Sequence, residues 1–147
     1  MDSSIITHLG QSTRLIGLWI IDHFQANGID LNKEQWLVLK KLHEENGRVQ
    51  NDLAYITDRS KTSLTRLLNT MEKKGLVYRK NCEKDQRINH VYYSDKGADL
   101  YRRSLPFFNQ VIDELTQGIT KEEIYQTISV LEQIKQNAQN KLNDVKL

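Results

Sequence analysis

The stretch Ser60-Lys61-Thr62-Ser63-Leu64-Thr65-Arg66-Leu67-Leu68-Asn69-Thr70-Met71-Glu72-Lys73-Lys74-Gly75-Leu76-Val77-Tyr78-Arg79 decides how the chain folds. Ser60 is suited to cap a helix, because its hydroxyl can accept a hydrogen bond from an otherwise unpaired backbone N–H of the first turn. Leu64, Leu67, Leu68 and Met71 then recur at helical spacing and mark a face that turns inward. Lys73 and Lys74 suit the negative end of the helix dipole. Gly75 supplies the left-handed stop, and Leu76-Val77-Tyr78 reads as a strand. The positions left facing outward are Lys61, Thr62, Ser63, Thr65, Arg66 and Asn69, small polar or basic groups gathered toward the start of the helix.

Working outward, Val91-Tyr92-Tyr93 reads as a second strand, so that the polar segment Lys80 to His90 becomes a hairpin loop too long for a tight turn. Upstream, a short helix of about Gln50 to Thr57 carries Leu53, Ala54 and Ile56. Before it, a helix begins at the N-cap Asn32, with Gln35 three positions on in a capping-box arrangement, and places Trp36, Leu39 and Leu42 or His43 on one stripe up to Gly47. A first helix spans roughly Ser4 to Ala26, with Ile5, Leu9, Ile16, Trp19 or Ile20, and Phe24 near one face. Ser94 caps a long fifth helix through about Thr116 that Pro106 should bend. Thr120-Lys121-Glu122-Glu123 is a capping box for the last helix, which repeats Ile124, Ile128, Leu131, Ile134 or Lys135, Ala138 and Leu142. The expected order is α-α-α-α-β-β-α-α. The fold class is mainly α with a small β-hairpin wing.

The 147 residues form one domain of ordinary size that can bury a core without disulfides or metal. The net charge of +2 conceals an asymmetry. From Arg48 to His90 the chain carries Arg48, Arg59, Lys61, Arg66, Lys73, Lys74, Arg79, Lys80, Lys84 and Arg87 against Asp52, Asp58, Glu72, Glu83 and Asp85, a local excess of five positive charges. Such clustering is the electrostatic footprint of a nucleic-acid face. Met1 to Gly10 lacks the basic and apolar stretches of a secretory signal, and no run approaches 18 apolar residues. A soluble, cytoplasmic protein is therefore expected, with no membrane partner.

Two short helices joined by a tight turn and followed by a hairpin with a basic tip are the layout of a winged helix-turn-helix. The start of its second helix enters the major groove, where arginine reads guanine and serine or threonine reach bases or phosphates. Its wing brings a cation to a narrow groove of strong negative potential. Lys84 and Arg87 lie at that tip.

These residues resemble the MarR-type transcription regulators. The resemblance rests on Leu53-Ala54 with Ser60 through Leu68, on Met71 through Arg79, on Asp85-Gln86-Arg87, on Ser94-Asp95-Lys96-Gly97 and, upstream, on Gln35 through Leu39. It implies that Thr62, Ser63 and Arg66 face the major groove and that Arg79 sits near a phosphate. Arg87 would be the minor-groove finger, with Asp85 holding it or a neighbouring arginine. It implies a homodimer whose first and last helices intertwine across a two-fold axis, on a pseudo-palindromic double-stranded DNA operator. Residues 1–30 and 95–147 are then the dimerisation helices of a single domain, and residues 31–94 the DNA-binding lobe. Thr57-Asp58-Arg59 departs from the family's apolar-Gly-apolar turn, Tyr93-Ser94 from the commoner Leu-Thr, and Val49 stands where a Ser or Thr cap is usual.

Other features point to less. Cys82 lies at the wing with no second cysteine to resolve an oxidised form. His8, His23, His43 and His90 have no metal-ligand spacing, so neither metal nor cofactor is expected. The same resemblance implies a cleft between the dimer helices and the DNA-binding lobe for a small aromatic effector, which Trp19, Phe24 and Trp36 are candidates to line, although an aromatic stripe at helical spacing is more often core. No nucleophile elbow, phosphate loop or carboxylate pair supports an enzyme. The chain reads as a DNA-binding regulator, a repressor released by a small molecule. The rival is a winged-helix module for protein contacts alone, which calls for a neutral second helix and an uncharged wing.

Overall fold

The computed structural model describes residues 4–145. The outermost residues of both expected dimerisation segments, 1–3 and 146–147, lie outside the described residues. The elements run α1 (Ser4–Ala26), α2 (Lys33–Glu44), β1 (Arg48–Val49), α3 (Gln50–Ile56), α4 (Lys61–Lys73), β2 (Val77–Asn81), β3 (Asn89–Tyr93), α5 (Asp95–Leu115) and α6 (Lys121–Val145). The chain divides into two compact units, one ending at Val111 and the other beginning at Ile112. No helix is long and apolar enough among the described residues to cross a membrane.

Local chemistry accounts for most of the helix starts. The backbone N–H of Gln35 donates to the Asn32 side-chain oxygen at 2.8 Å, and the Asn32 N–H donates back to Gln35 Oε1 at 3.1 Å, closing a capping box at α2. Thr120 and Glu123 repeat the exchange at α6, at 2.8 and 3.1 Å. Ser60 Oγ accepts from the Ser63 N–H at 3.0 Å, and Ser94 Oγ from the Gly97 N–H at 3.0 Å. Helix α3 starts at Val49 without a side-chain cap.

The first unit closes over one core. Ile20 and Phe24 of α1, Trp36, Val38, Leu39 and Leu42 of α2, Leu53 of α3 and Leu64, Leu68 and Met71 of α4 are all buried. Val77, Val91, Leu100 and Val111 complete the enclosure. Leu42 rather than His43 takes the inward position on α2. The Trp36 indole stacks on Phe108, with ring centroids 3.7 Å apart, and its N–H donates to the buried Ser104 Oγ at 2.9 Å. That contact ties α2 to α5. Pro106 is accommodated inside a continuous α5.

The inward stripe expected of α1 is met only at its C-terminal end. Ile20 and Phe24 are buried and Ile16 packs against the core, whereas Ile5 and Trp19 are exposed. Helix α6 has no buried residue, and Ile128 and Leu142 stand more than half exposed.

One element departs from the expected order. Arg48 and Val49 form a third, two-residue strand that pairs with β3 as Arg48 opposite Val91 and Val49 opposite His90. The antiparallel sheet therefore runs β1-β3-β2. Two residues are too few to show an alternating pattern, so this strand exists only through its distant partner. In the hairpin, Val77 faces Tyr93 and Asn81 faces Asn89. Val77 and Val91 turn to the core. On the other face Tyr78 stacks on Tyr92 at 5.4 Å, and the Lys80 ammonium lies 5.6 and 5.8 Å from the two ring centroids.

Candidate nucleic-acid interface

The turn between α3 and α4 sets the direction of the second helix. Asp58 has φ = 53°, the left-handed conformation that a glycine adopts without strain. The Arg59 N–H donates to Ala54 O at 2.9 Å and the Asp58 N–H to Tyr55 O at 3.2 Å, the paired bonds of a Schellman ending. Thr57 Oγ1 donates to Leu53 O at 2.7 Å. The turn that the sequence left without its usual glycine is thus closed by hydrogen bonds, with Ile56 packed on the core.

Helix α4 leaves Lys61, Thr62, Arg66, Asn69 and Lys73 exposed, with Ser63 and Thr65 half-buried beside them. Arg59, Ser63, Thr62 and Arg66 line one open groove of about 490 Å³ that Glu34 borders from α2. Several of these side chains are held from behind. Arg59 Nη1 donates to Ser63 Oγ at 2.7 Å. Thr65 Oγ1 donates to Lys61 O at 2.8 Å and accepts from Gln50 Nε2 at 3.2 Å, which leaves its methyl group as the least committed part. Arg66 forms no ion pair with a carboxylate among the described residues, and Glu72, on the same helix, is paired with Arg79.

Arg79 joins the hairpin root to α4. Its Nε and Nη2 donate to the two Glu72 carboxylate oxygens at 2.8 and 2.9 Å, and Nη2 also donates to Asn69 Oδ1 at 2.6 Å. The guanidinium beside Glu72 holds that carboxyl below its ordinary range, and the carboxylate raises the arginine in turn. The expected phosphate contact of Arg79 is left to its remaining donors, since two of its three nitrogens are committed within the chain.

At the wing tip, the Asp85 O accepts from the Ile88 N–H at 3.0 Å and the Cys82 N–H donates to Ile88 O at 2.8 Å, closing the loop. Asp85 Oδ1 accepts from both the backbone N–H of Arg87 at 3.0 Å and its Nε at 3.1 Å, while Oδ2 accepts from Nη2 at 3.1 Å. The spacing of the two residues follows from this: an aspartate bonding the backbone two residues on can also receive that residue's guanidinium. Its carboxyl is held below the ordinary range for that reason. The Arg87 side chain remains 90% exposed, so a positive charge is presented outward in a fixed orientation. Lys84 is exposed nearby.

The three aromatic candidates are dispersed. Phe24 is fully buried, Trp36 is a core residue, and Trp19 is partly exposed on α1, stacked on His23 at 6.0 Å between ring centroids. His23 in turn meets Gln110 Oε1 at 3.0 Å and the edge of Phe107. Periodicity did not single out Gln50, Arg59 or Glu72. The sequence signal that could have pointed to the fork is the spacing of Asn69 and Glu72, three apart on one helix face.

Residues 31–88, from the residue before the α2 cap to the wing tip, match the model of the MarR family, a family of DNA-binding transcription regulators rather than enzymes. Solved structures with the same architecture include a MarR protein from Peptoclostridium difficile, 23% identical with a TM-score of 0.85, over 99% of this chain and 94% of that one. AbsC, a MarR family transcriptional regulator from Streptomyces coelicolor, is 25% identical with a TM-score of 0.81, over 93% of each chain. The S. aureus MepR protein in its DNA complex is 21% identical with a TM-score of 0.79, over 93% of this chain and 98% of that one.

Proposed function

We propose that this chain, which carries the MarR-family domain, is a homodimeric, sequence-specific DNA-binding regulator that acts in the cytoplasm as a repressor relieved by a small aromatic effector. The observation that carries the reading is the wing tip, where Asp85 holds a guanidinium that is nevertheless almost fully exposed. An isolated surface ion pair adds little to stability, whereas a fixed, outward cation suits the negative potential of a narrow minor groove. The outward face of α4 supplies the second half of the interface, with Lys61, Thr62, Ser63, Thr65 and Arg66 in the major groove. Arg79 and Lys84 stand toward phosphates. The structure of MepR with DNA supports the same use of the same architecture.

A second copy of the chain covers the apolar residues that α1 and α6 leave exposed, among them Ile6 and Leu18 on the first and Ile128 and Leu142 on the second. Two recognition helices in a two-fold dimer meet successive major grooves of a pseudo-palindrome about one helical turn apart. An effector entering beside Trp19 alters that spacing through α1. Phe24 and Trp36, being core residues, respond by repacking rather than by direct contact.

Binding of the full chain to mixed-sequence duplex DNA, followed by fluorescence anisotropy between about 50 and 200 mM salt, tests the reading. Affinity should fall steeply with salt, as cations released from phosphates return. Arg87→Ala should weaken binding and lower the salt slope by about one for each protomer. Salt-independent binding, or an Arg87→Ala variant that binds as tightly as the parent, would favour a protein-contact module instead. Sedimentation at micromolar concentration tests the dimer, and a purely monomeric chain would remove that part of the proposal.

A further inference from the structure

The Arg79 fork also fixes the polarity of a neighbouring side chain. Arginine has only donors, so the Asn69 atom 2.6 Å from Arg79 Nη2 has to be the carbonyl oxygen. Turning the amide over would set an NH2 group against a guanidinium and lose a charge-assisted bond. Arg79 cannot follow such a rotation, because Glu72 grips it through both carboxylate oxygens. Asn69 is exposed on α4 one turn beyond Arg66, and its NH2 group has no hydrogen-bond partner among the described residues.

We propose that Asn69 is a specificity residue that offers the major groove donors alone and selects a guanine in each half-site. The inference rests on the reading of the chain as a DNA-binding regulator. An unrestrained asparagine reads adenine in bidentate fashion, its oxygen accepting from N6 and its nitrogen donating to N7. Here the oxygen is already used, so that adenine contact is closed. Guanine shows two adjacent acceptors, N7 and O6, and matches a donor-only group. Adenine and cytosine each present an amino group that would face another donor, and thymine offers the single acceptor O4. Glu72 and Arg79 are positioning residues in this arrangement: they hold the amide without touching the base.

Selection of bound duplexes from a random pool, using the full chain as parent, Asn69→Ala and Asn69→Asp, tests the proposal. Asn69 is exposed, so both variants should fold, which melting curves verify. The parent should enrich one guanine per half-site whose preference vanishes in Asn69→Ala while the other positions are unchanged. Asn69→Asp keeps one oxygen for Arg79 and turns the other outward, so preference at that position should move to cytosine or adenine. Replacing the guanine by 7-deazaguanine should weaken parent binding about tenfold and leave Asn69→Ala unaffected. Glu72→Gln, by loosening the fork, should relax discrimination at that base pair alone. A parent consensus retained by Asn69→Ala with uniformly weaker binding would place the amide on a phosphate and overturn the proposal, as would an adenine at the dependent position. A parent that binds no duplex DNA at low salt would overturn the DNA reading, and this inference with it.

Discussion

Gly97→Ala is the substitution that best tests how the wing is anchored. Gly97 is buried at the start of α5, where a Cβ would lie 2.2 Å from the Leu76 carbonyl oxygen and 3.1 Å from its carbon. Ordinary contact begins near 3.4 Å, so the two backbones would have to separate by about 1.2 Å. The oxygen in the way is not idle. It accepts from the Ser94 N–H at 2.9 Å, while Ser94 Oγ donates to Gly75 O at 2.6 Å and Lys96 Nζ to Lys74 O at 2.7 Å. Separation therefore breaks at least one backbone bond, worth about 1 kcal/mol net, and displaces the buried Leu76 at a cost of about 1–3 kcal/mol. Alanine's better helix propensity returns up to about 1 kcal/mol. The balance is a loss of about 2 kcal/mol, or about 6 °C in melting temperature for a chain of this size. Thermal unfolding should be followed by circular dichroism at one fixed protein concentration, since self-association makes the midpoint concentration-dependent. Leu76 leads directly from α4 into β2, so DNA affinity measured well below the melting range should also fall, through misplacement of the wing. A Gly97→Ala variant that melts at or above the parent temperature would refute the reasoning, because the close approach would then relax at no cost.

Two further perturbations address the turn and the fork. Asp58 holds φ = 53°, so Asp58→Gly should stabilise the chain by up to about 1 kcal/mol and Asp58→Ala should destabilise it by a similar amount; chemical denaturation giving any order other than Gly, Asp, Ala would contradict the strain argument. The Arg79 fork lowers the Glu72 carboxyl from its ordinary 4.5, so its stabilisation is present above that value and is lost as pH falls through the lower folded-state value. Glu72→Gln should cost about 1 kcal/mol or less at pH 7, as the pair is partly exposed, and the difference from the parent should shrink below about pH 4.5; a gap that stays constant or widens toward pH 3 would exclude the ion pair as its source.

What was legible in the sequence had causes lying within a turn of one another. Asn32 with Gln35, Ser60 with Ser63 and Thr120 with Glu123 each close a bond across three residues, and each helix starts where that pairing places it. Asp85 and Arg87 belong to the same class, with the whole fork contained in two residues of separation. Arg79 marks where this kind of reading ends. Its charge and place after α4 are plain, but nothing local chooses among Glu72, Asn69 and a phosphate as its partner; that choice depends on how β2 leaves the helix. Strand β1 is a stronger case, because Arg48 and Val49 acquire extended structure only by meeting Val91 and His90. The aromatic candidates show a related limit. Helical spacing correctly turned Phe24 and Trp36 inward, but spacing does not distinguish the wall of a cleft from the packed centre, where Trp36 is stacked on Phe108. The same limit applies to the N-terminal half of α1 and to α6. Periodicity records that Ile5 and Ile128 belong to apolar faces, yet burial requires a covering surface, and the pattern of one chain cannot say whether that surface comes from itself or from a second copy.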